Sequence, residues 1–106
     1  MFADVVEEIR FKSAFIAESV HIRCGGGEVL QVEWYYRPRL HTAAIPIISA
    51  GRSVDVHFEG RVEISRSTLI INSVQANDSG IYTCIENTGQ WQPHHVSLSV
   101  YGKLNK

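Results

Sequence analysis

Apolar and polar residues alternate in short runs along most of this chain, and this two-residue period predicts β-strands rather than helices. Glycine, proline and other turn-forming residues separate the runs. Because Pro46 lacks a backbone N–H, the strand that contains it is expected at a sheet edge. So many short strands predict an all-β domain. The predicted strands span residues 19–23, 31–37, 45–49, 53–58, 61–64, 67–73, 80–86 and 95–101.

The N-terminal segment has a less regular pattern, with apolar residues at uneven spacing from Val5 to Phe15. We interpret residues 5–15 as a broken edge strand. A helix over residues 4–11 is the alternative, because Asp4 is a suitable N-cap and two glutamates would lie in the first turn. The pattern leaves both structures open.

The strand at residues 31–37 has two unlike sides. Trp34 and its alternate neighbours form an apolar side that is expected to face the core. The other side, expected to face solvent, carries Glu33, Tyr35 and Arg37. In the strand at residues 80–86 the same alternation directs Tyr82 and Cys84 inward, so Thr83 and Ile85 are expected to point outward.

The motif Asp-x-Gly-x-Tyr-x-Cys occupies residues 78–84, and it follows Cys24 and Trp34 in the chain. This order of cysteine, tryptophan and Tyr-x-Cys resembles the immunoglobulin superfamily over about residues 5–101. The resemblance implies a two-sheet antiparallel Greek-key sandwich. It also implies a disulfide between Cys24 and Cys84 that crosses the sheets, with Trp34 packed on it and a tyrosine corner at Tyr82.

In the strand nomenclature of that family, the predicted strands run from A and A′ to G, with room for C′ and C″. This count favours a variable-type or intermediate-type domain over a constant-type one. The short D–E connection at residues 65–67 favours the intermediate type. The resemblance further implies that Leu69 lies in the core and that Arg61 pairs with Asp78 at the bottom of the sandwich.

The two cysteines allow a single disulfide, and such bonds persist in oxidising compartments. The alternative is a pair of reduced core cysteines, as in intracellular immunoglobulin-like modules of muscle. The disulfide is favoured, and it implies an extracellular or cell-surface location. We therefore expect a fragment of a larger secreted or membrane-anchored protein, in which further immunoglobulin-like domains can flank this one.

The length of 106 residues fits one domain over residues 1–106, with residues 102–106 as a linker or an added tail. A formal net charge of −1 gives no basic excess for binding nucleic acid or an anionic membrane. No apolar run reaches the ~20 residues of a membrane-spanning helix, so no direct membrane insertion is expected. Residues 1–4 lack the features of a signal peptide, so we expect any signal to have been removed and Met1 to be an added residue.

None of the five histidines occurs in a hydrolase, zinc-protease or Cys-x-x-Cys motif. His94 and His95 are consecutive strand residues, which point to opposite sides and do not easily share one metal ion. We therefore expect no enzyme activity, no metal and no cofactor. Asn77 begins an Asn-Asp-Ser sequon at the predicted E–F corner and is a candidate glycosylation site.

Adhesion proteins and receptors of the immunoglobulin superfamily often pair through the outward side of strands C, C′, F and G. The resemblance therefore implies an extracellular module that binds a protein partner, homophilic or heterophilic, through this side. The alternative is a structural spacer domain in a tandem array of a cell-surface, matrix or muscle protein. The expected binding residues are Glu33, Tyr35, Arg37, Ile85, Asn87, Trp91 and His95.

Trp91 is expected at the tip of an F–G loop that spans residues 87–93. An exposed tryptophan in a loop is a candidate energetic centre of an interface. The alternative is that its ring folds back over the end of the sheet.

Overall fold

The computed structural model describes residues 9–24, 32–39, 42–49, 52–53, 58, 60–87 and 91–102. Of these, residues 48–49, 52–53, 86–87 and 91–92 are described by their backbone alone. This part of the chain contains nine strands and a 3-10 helix at Ala76–Asp78. The strands are β1 Ile9–Phe15, β2 Val20–Arg23, β3 Val32–Arg37, β4 Ile45–Ser49, β5 Arg52–Ser53, β6 Val62–Ser65, β7 Thr68–Ile71, β8 Gly80–Asn87 and β9 Trp91–Tyr101.

The strands form two sheets. One has six strands in the order β1-β9-β8-β3-β4-β5, and the other has three in the order β2-β7-β6. Pairing among these strands is antiparallel, except that β1 runs parallel to β9. Consecutive strands such as β2 and β3 lie in different sheets, so the chain crosses between layers. This arrangement confirms the predicted all-β sandwich.

A disulfide between Cys24 and Cys84 joins the two sheets at the centre of the core, as predicted. Cys24 follows β2, whereas Cys84 lies in β8 opposite Trp34 of β3. All three side chains are 0% exposed. Because the bond closes a chain segment with a sequence separation of 60, it restricts the unfolded chain by about 4 kcal/mol in the entropic account.

The rest of the core consists of the inward residues of facing strands. β2 and β7 contribute Val20, Ile22, Leu69 and Ile71, and the six-stranded sheet contributes residues that include Tyr36, Ile47, Tyr82, Val96 and Leu98. Phe58 adds a buried ring that packs edge-on against Tyr36 and Tyr82. These buried side chains follow the two-residue period, so alternation predicted the inward sides of β2, β3, β7 and β8 correctly.

The N-terminal prediction is settled for residues 9–15, which form the edge strand β1. A helix through Phe11 is therefore wrong, because Ile9–Phe15 pairs residue by residue with β9 from His95 to Tyr101. The side chain of Arg10 adds a second attachment by donating to the carbonyl oxygens of Arg23 and Cys24. Residues 5–8 lie outside the described part of the chain.

Two strand predictions need correction. The strand expected at residues 53–58 is observed only as the two-residue β5. Residues 54–57 lie outside the described part, and Phe58 is a core residue rather than a described strand position.

The F–G loop expected at residues 87–93 is wrong, because β8 and β9 stay paired up to Asn87 and Trp91. Pro93 pairs with Ile85 inside this ladder. Its missing N–H is tolerated there because the described part of β1 pairs with β9 only from His95 onward.

The E–F crossover is held by the carboxylate and the carbonyl of Asp78, a residue that is fully buried. Nη1 of Arg61 lies 2.8 Å from Oδ2, and Nη2 lies 3.0 Å from Oδ1. Such a two-point contact fixes the relative orientation of both side chains. The Tyr82 hydroxyl donates to the Asp78 carbonyl oxygen at 2.5 Å, which forms the tyrosine corner.

The structure requires glycine at position 80, the Gly of the Asp-x-Gly-x-Tyr-x-Cys motif. Its φ is +152°, and an added Cβ would lie 2.6 Å from both the Arg37 carbonyl oxygen and Cε1 of Tyr36. Neither the strained backbone nor the contact with backbone oxygen can be relieved by rotating a side chain.

We predict that Gly80→Ala lowers the free energy of unfolding by about 2 kcal/mol or more, because it adds a clash to an unfavourable backbone conformation. Urea denaturation measures the change. Gly102→Ala is the matched control, since an added Cβ there meets no atom within 4 Å. Equal stability of the two variants would contradict the close approach of β3 and β8 at Gly80.

Burial raises the pKa of Tyr82 well above its usual range, and burial also raises the pKa of Tyr36, with the nearby Asp78 carboxylate as a second cause in both. Both hydroxyls therefore stay protonated in the folded state when unfolded tyrosines ionise at about pH 10. The stabilising contribution is fully present below that pH and is lost as the pH rises above it.

We predict that raising the pH from 9 to 11 lowers the free energy of unfolding of the native protein by about 1.4 kcal/mol more than that of Tyr82→Phe. The reason is that phenylalanine has no proton to release in the unfolded state. Urea denaturation at a series of pH values measures the difference between the two slopes. The same pH dependence in both proteins would show that Tyr82 ionises normally in the folded state.

Candidate functional site

The outward side of the six-stranded sheet brings most of the predicted binding residues together. We call the described outward residues of β3, β4, β8 and β9 the outer face, since they point away from the three-stranded sheet. They follow from the inward positions of Trp34 and Cys84 by strand alternation. The outer face consists of Glu33, Tyr35, Arg37, Pro46, Ile81, Thr83, Ile85, Pro93, His95 and Ser97.

Strand pairing arranges these residues in three rows across the sheet. The middle row contains Tyr35 at its centre, and the two outer rows contain Glu33 and Arg37 respectively. The first row is Glu33, Ile85 and Pro93; the middle row is Pro46, Tyr35, Thr83 and His95; the third row is Arg37, Ile81 and Ser97.

Five of the seven predicted binding residues lie in these rows: Glu33, Tyr35, Arg37, Ile85 and His95. The other two, Asn87 and Trp91, pair with each other at the end of the β8–β9 ladder. Trp91 is therefore a strand residue and not the tip of a loop. The described backbone fixes only its register position.

A hydrogen bond within β3 joins the first row to the middle row. The Tyr35 hydroxyl donates to Oε1 of Glu33 at 2.8 Å. This hydrogen bond is the main reason why the pKa of Tyr35 is raised, with burial as a smaller cause. Because the two residues are separated by one inward residue, the bond ties two neighbouring side chains on the outer face together.

The middle row contains a contact that alternation did not predict. Thr83 points outward but is only 6% exposed, so the expectation that its side chain is displayed is wrong. Its Oγ1 lies 2.8 Å from Nδ1 of His95 on the neighbouring strand, and the histidine tautomer decides which group donates. Thr83 is therefore buried on the outward side of the sheet, where it contacts His95 instead of being displayed to a partner.

The third row contains an arginine with an unsatisfied donor. Nε of Arg37 is buried and has no hydrogen-bond acceptor within the described part of the chain. Burying a charged donor without a partner is unfavourable. Nε is covered and does not itself meet a partner, but the half-buried side chain keeps a positive charge at this end of the outer face.

The outward side of the six-stranded sheet continues past the outer face as exposed apolar residues on β1 and the end of β9, because Ile9 and Phe11 pair with the outer-face residues His95 and Ser97. Four large side chains on these strands are exposed, and Phe11 is the most exposed at 83%. Sequence reasoning did not single this surface out, although the alternation of Ile9, Phe11 and Phe15 was its signal. These residues are Ile9, Phe11, Phe15 and Tyr101.

The described residues show no group of three or more histidine, cysteine or acidic side chains that would hold a metal ion. His94 pairs with Cys84 and His95 with Thr83, so the two histidines occupy opposite sides of β9. Asn77 is exposed on the 3-10 helix of the E–F crossover. A search of the described part for a helix long and apolar enough to cross a membrane finds none.

Comparison with known proteins gives a family and a fold. The family model for the immunoglobulin V-set domain matches residues 16–101. Among solved structures, the extracellular domains of the voltage-gated sodium channel beta4 subunit are similar, with a TM-score of 0.70 and 16% sequence identity. The alignment covers 98% of this chain and 100% of that one. At this identity the likeness shows the fold. A sequence search of curated proteins finds no match.

Proposed function

The chain belongs to the immunoglobulin V-set domain family, and from this premise we propose that it is an extracellular module that binds a protein partner through its outer face. The family match is to the V-set, whereas the short D–E connection favours the intermediate type. V-set domains are typically recognition modules rather than enzymes. The proposal adds to this general role a specific face, a protein partner and a location.

The observation that carries the proposal is the composition of the outer face. Tyr35, Ile81 and Ile85 form a half-buried apolar centre on β3 and β8. Glu33, Arg37 and His95 surround it with polar and charged groups. An apolar centre with a polar rim is the usual composition of a protein–protein interface. The other sheet of the described part packs on the opposite side, so it leaves this face open to a partner.

Two hydrogen bonds support a binding role because they fix side chains before a partner arrives. Tyr35 is held by Glu33, and His95 is held by Thr83. Side chains that are already ordered lose less conformational entropy on binding, which increases affinity for a given contact area. The face is therefore better prepared for recognition than a surface of freely rotating side chains.

The disulfide and the structural neighbour support the proposed location and class of partner. The Cys24–Cys84 bond suits an oxidising compartment, as found outside the cell. In the sodium channel beta4 subunit, parallel homodimers of the extracellular domains explain a role in cell–cell adhesion. An adhesive function for this chain, within a larger secreted or membrane-anchored protein, is consistent with both.

We predict that Ile85→Glu lowers binding at least tenfold, because it places a charge in the apolar centre of the outer face. The measurement uses the biotinylated domain as fluorescent streptavidin tetramers, applied to cultured cell lines and to beads coated with the same domain. Ile70→Glu is the matched control, since Ile70 lies between His21 and Glu63 on the three-stranded sheet.

Circular dichroism checks that both variants remain folded. Equal binding by Ile85→Glu and the native domain would contradict the proposed face. If the native tetramers bind neither cells nor beads, the recognition function itself is wrong, and a spacer role is favoured.

We also predict that the domain carries an N-linked glycan on Asn77 when it is secreted from a eukaryotic host. Asn77 is exposed, and it lies on the E–F crossover rather than on the outer face, so a glycan there leaves the face accessible. Intact-mass measurement before and after treatment with a peptide N-glycosidase detects the glycan. The secreted protein and Asn77→Gln should differ by one glycan; a difference equal to the substitution alone would disprove occupancy.

A further inference from the structure

We propose that the partner at the outer face is a second copy of this chain, packed antiparallel about a two-fold axis at Tyr35, so that Glu33 of each copy meets Arg37 of the other. This inference rests on the proposed function, because it takes the outer face as the recognition surface. It adds the identity of the partner and the orientation of the pair.

The charges of β3 are arranged symmetrically about Tyr35. Glu33, Tyr35 and Arg37 occupy alternate positions on the same side of the strand. At about 3.3 Å per residue, each charged residue lies roughly 7 Å along the strand from Tyr35, in opposite directions. Reversing the strand about Tyr35 therefore exchanges the position of the negative group with that of the positive group.

A closed dimer uses the same surface on both copies. The two-fold axis lies in the plane between the outer faces, and axes along and across β3 give the parallel and antiparallel limits. If the two-fold axis runs along β3, the strands are parallel, and Glu33 faces the other copy's Glu33. If the axis runs across β3 at Tyr35, the strands are antiparallel, and Glu33 faces the other copy's Arg37. Opposed like charges are unfavourable and opposed unlike charges are favourable, so the second arrangement is selected.

The neighbouring strand fits the same arrangement. An axis along the middle row places the first row of one copy over the third row of the other. Ile85 then lies over Ile81 of the second copy, because these residues occupy the corresponding positions on β8. Apolar side chains meet apolar side chains at the centre, as in the core of an interface.

The carboxylate of Glu33 favours an arginine partner in the same way. Glu33 uses Oε1 to accept from Tyr35, and the described residues place no donor on its other carboxylate oxygen. Contact with the guanidinium of the other copy's Arg37 places a donor on that oxygen, and arginine is the side chain best suited to such a planar contact.

The size of the outer face predicts the strength of the dimer. Four strands about 4.8 Å apart, each about six residues long, give a footprint of roughly 400 Å² per copy. Stable interfaces bury about 800 Å² per partner, so this one is at the low end of the range. We therefore expect a weak, reversible dimer, which many copies on apposed surfaces would strengthen by multivalency.

Sedimentation velocity of the native domain at concentrations from about 1 μM to 1 mM tests the proposal. This range is chosen because a small interface is expected to give a weak dimer. The variants are E33R, R37E and the double exchange E33R/R37E. We expect a reversible dimer for the native domain and at least tenfold weaker dimerisation for each single variant, since each one opposes like charges. The double exchange restores opposed unlike charges and should return the affinity to within about threefold of native.

Two further samples control for folding and surface charge. E63R reverses a charge on the three-stranded sheet, at an exposed position of β6, and should leave dimerisation unchanged. An equimolar mixture of E33R and R37E should form a heterodimer, because one copy then carries two positive groups and the other two negative groups. Circular dichroism of every variant confirms that it is folded.

The outcomes separate this inference from the proposed function. A native domain that stays monomeric at 1 mM, while its tetramers bind cells in a manner sensitive to Ile85→Glu, overturns the second copy as partner and leaves the recognition face intact. Dimerisation that the single variants do not weaken, or that the double exchange does not restore, overturns the antiparallel arrangement. A monomer whose tetramers bind nothing overturns both.

Discussion

The disulfide between Cys24 and Cys84 is the constraint on which the rest of the structure depends, because it fixes which side of each central strand faces inward. Cys84 must lie between the sheets to reach Cys24, so its neighbours Thr83 and Ile85 point outward. Trp34 pairs with Cys84 and is fully buried, which turns Glu33 and Tyr35 to the same outer side. A shift of one residue in this pairing would exchange the two sides of the strand and remove the outer face.

The E–F crossover supplies the second constraint, because it fixes where β8 begins. Asp78 accepts hydrogen bonds from Arg61 at its carboxylate and from Tyr82 at its carbonyl oxygen. One buried residue therefore joins the start of β6 to the core side of β8. Gly80 then brings β8 close enough to β3 for the ring of Tyr36 to pack beside it. The register of β3 and β8 is thus determined at both the disulfide and the crossover, and the three rows of the outer face follow from that register.

Much of this arrangement follows from the sequence, because alternation and the Cys–Trp–Tyr-x-Cys order both report on the core. Residues such as Ile22, Trp34 and Leu69 are inward where the pattern predicts them. The prediction failed at Trp91, because the turn-forming residues around it suggest a loop, whereas pairing with β8 extends β9 past Pro93. The burial of Thr83 and the unsatisfied Nε of Arg37 were also not predictable, since both depend on how neighbouring strands cover a side chain and not on its position along one strand.

The central claim is that the register set by the disulfide creates one recognition surface on the outer face. Amide chemical shifts of the isotope-labelled domain, recorded by NMR as its concentration is raised, test this claim residue by residue. The account predicts concentration-dependent shifts that centre on the outer-face positions of β3, β8 and β9, with the amides of β2, β6 and β7 unaffected. Shifts that centre on the three-stranded sheet or on the exposed apolar residues of β1, or spectra that do not change with concentration, would contradict self-recognition through the outer face.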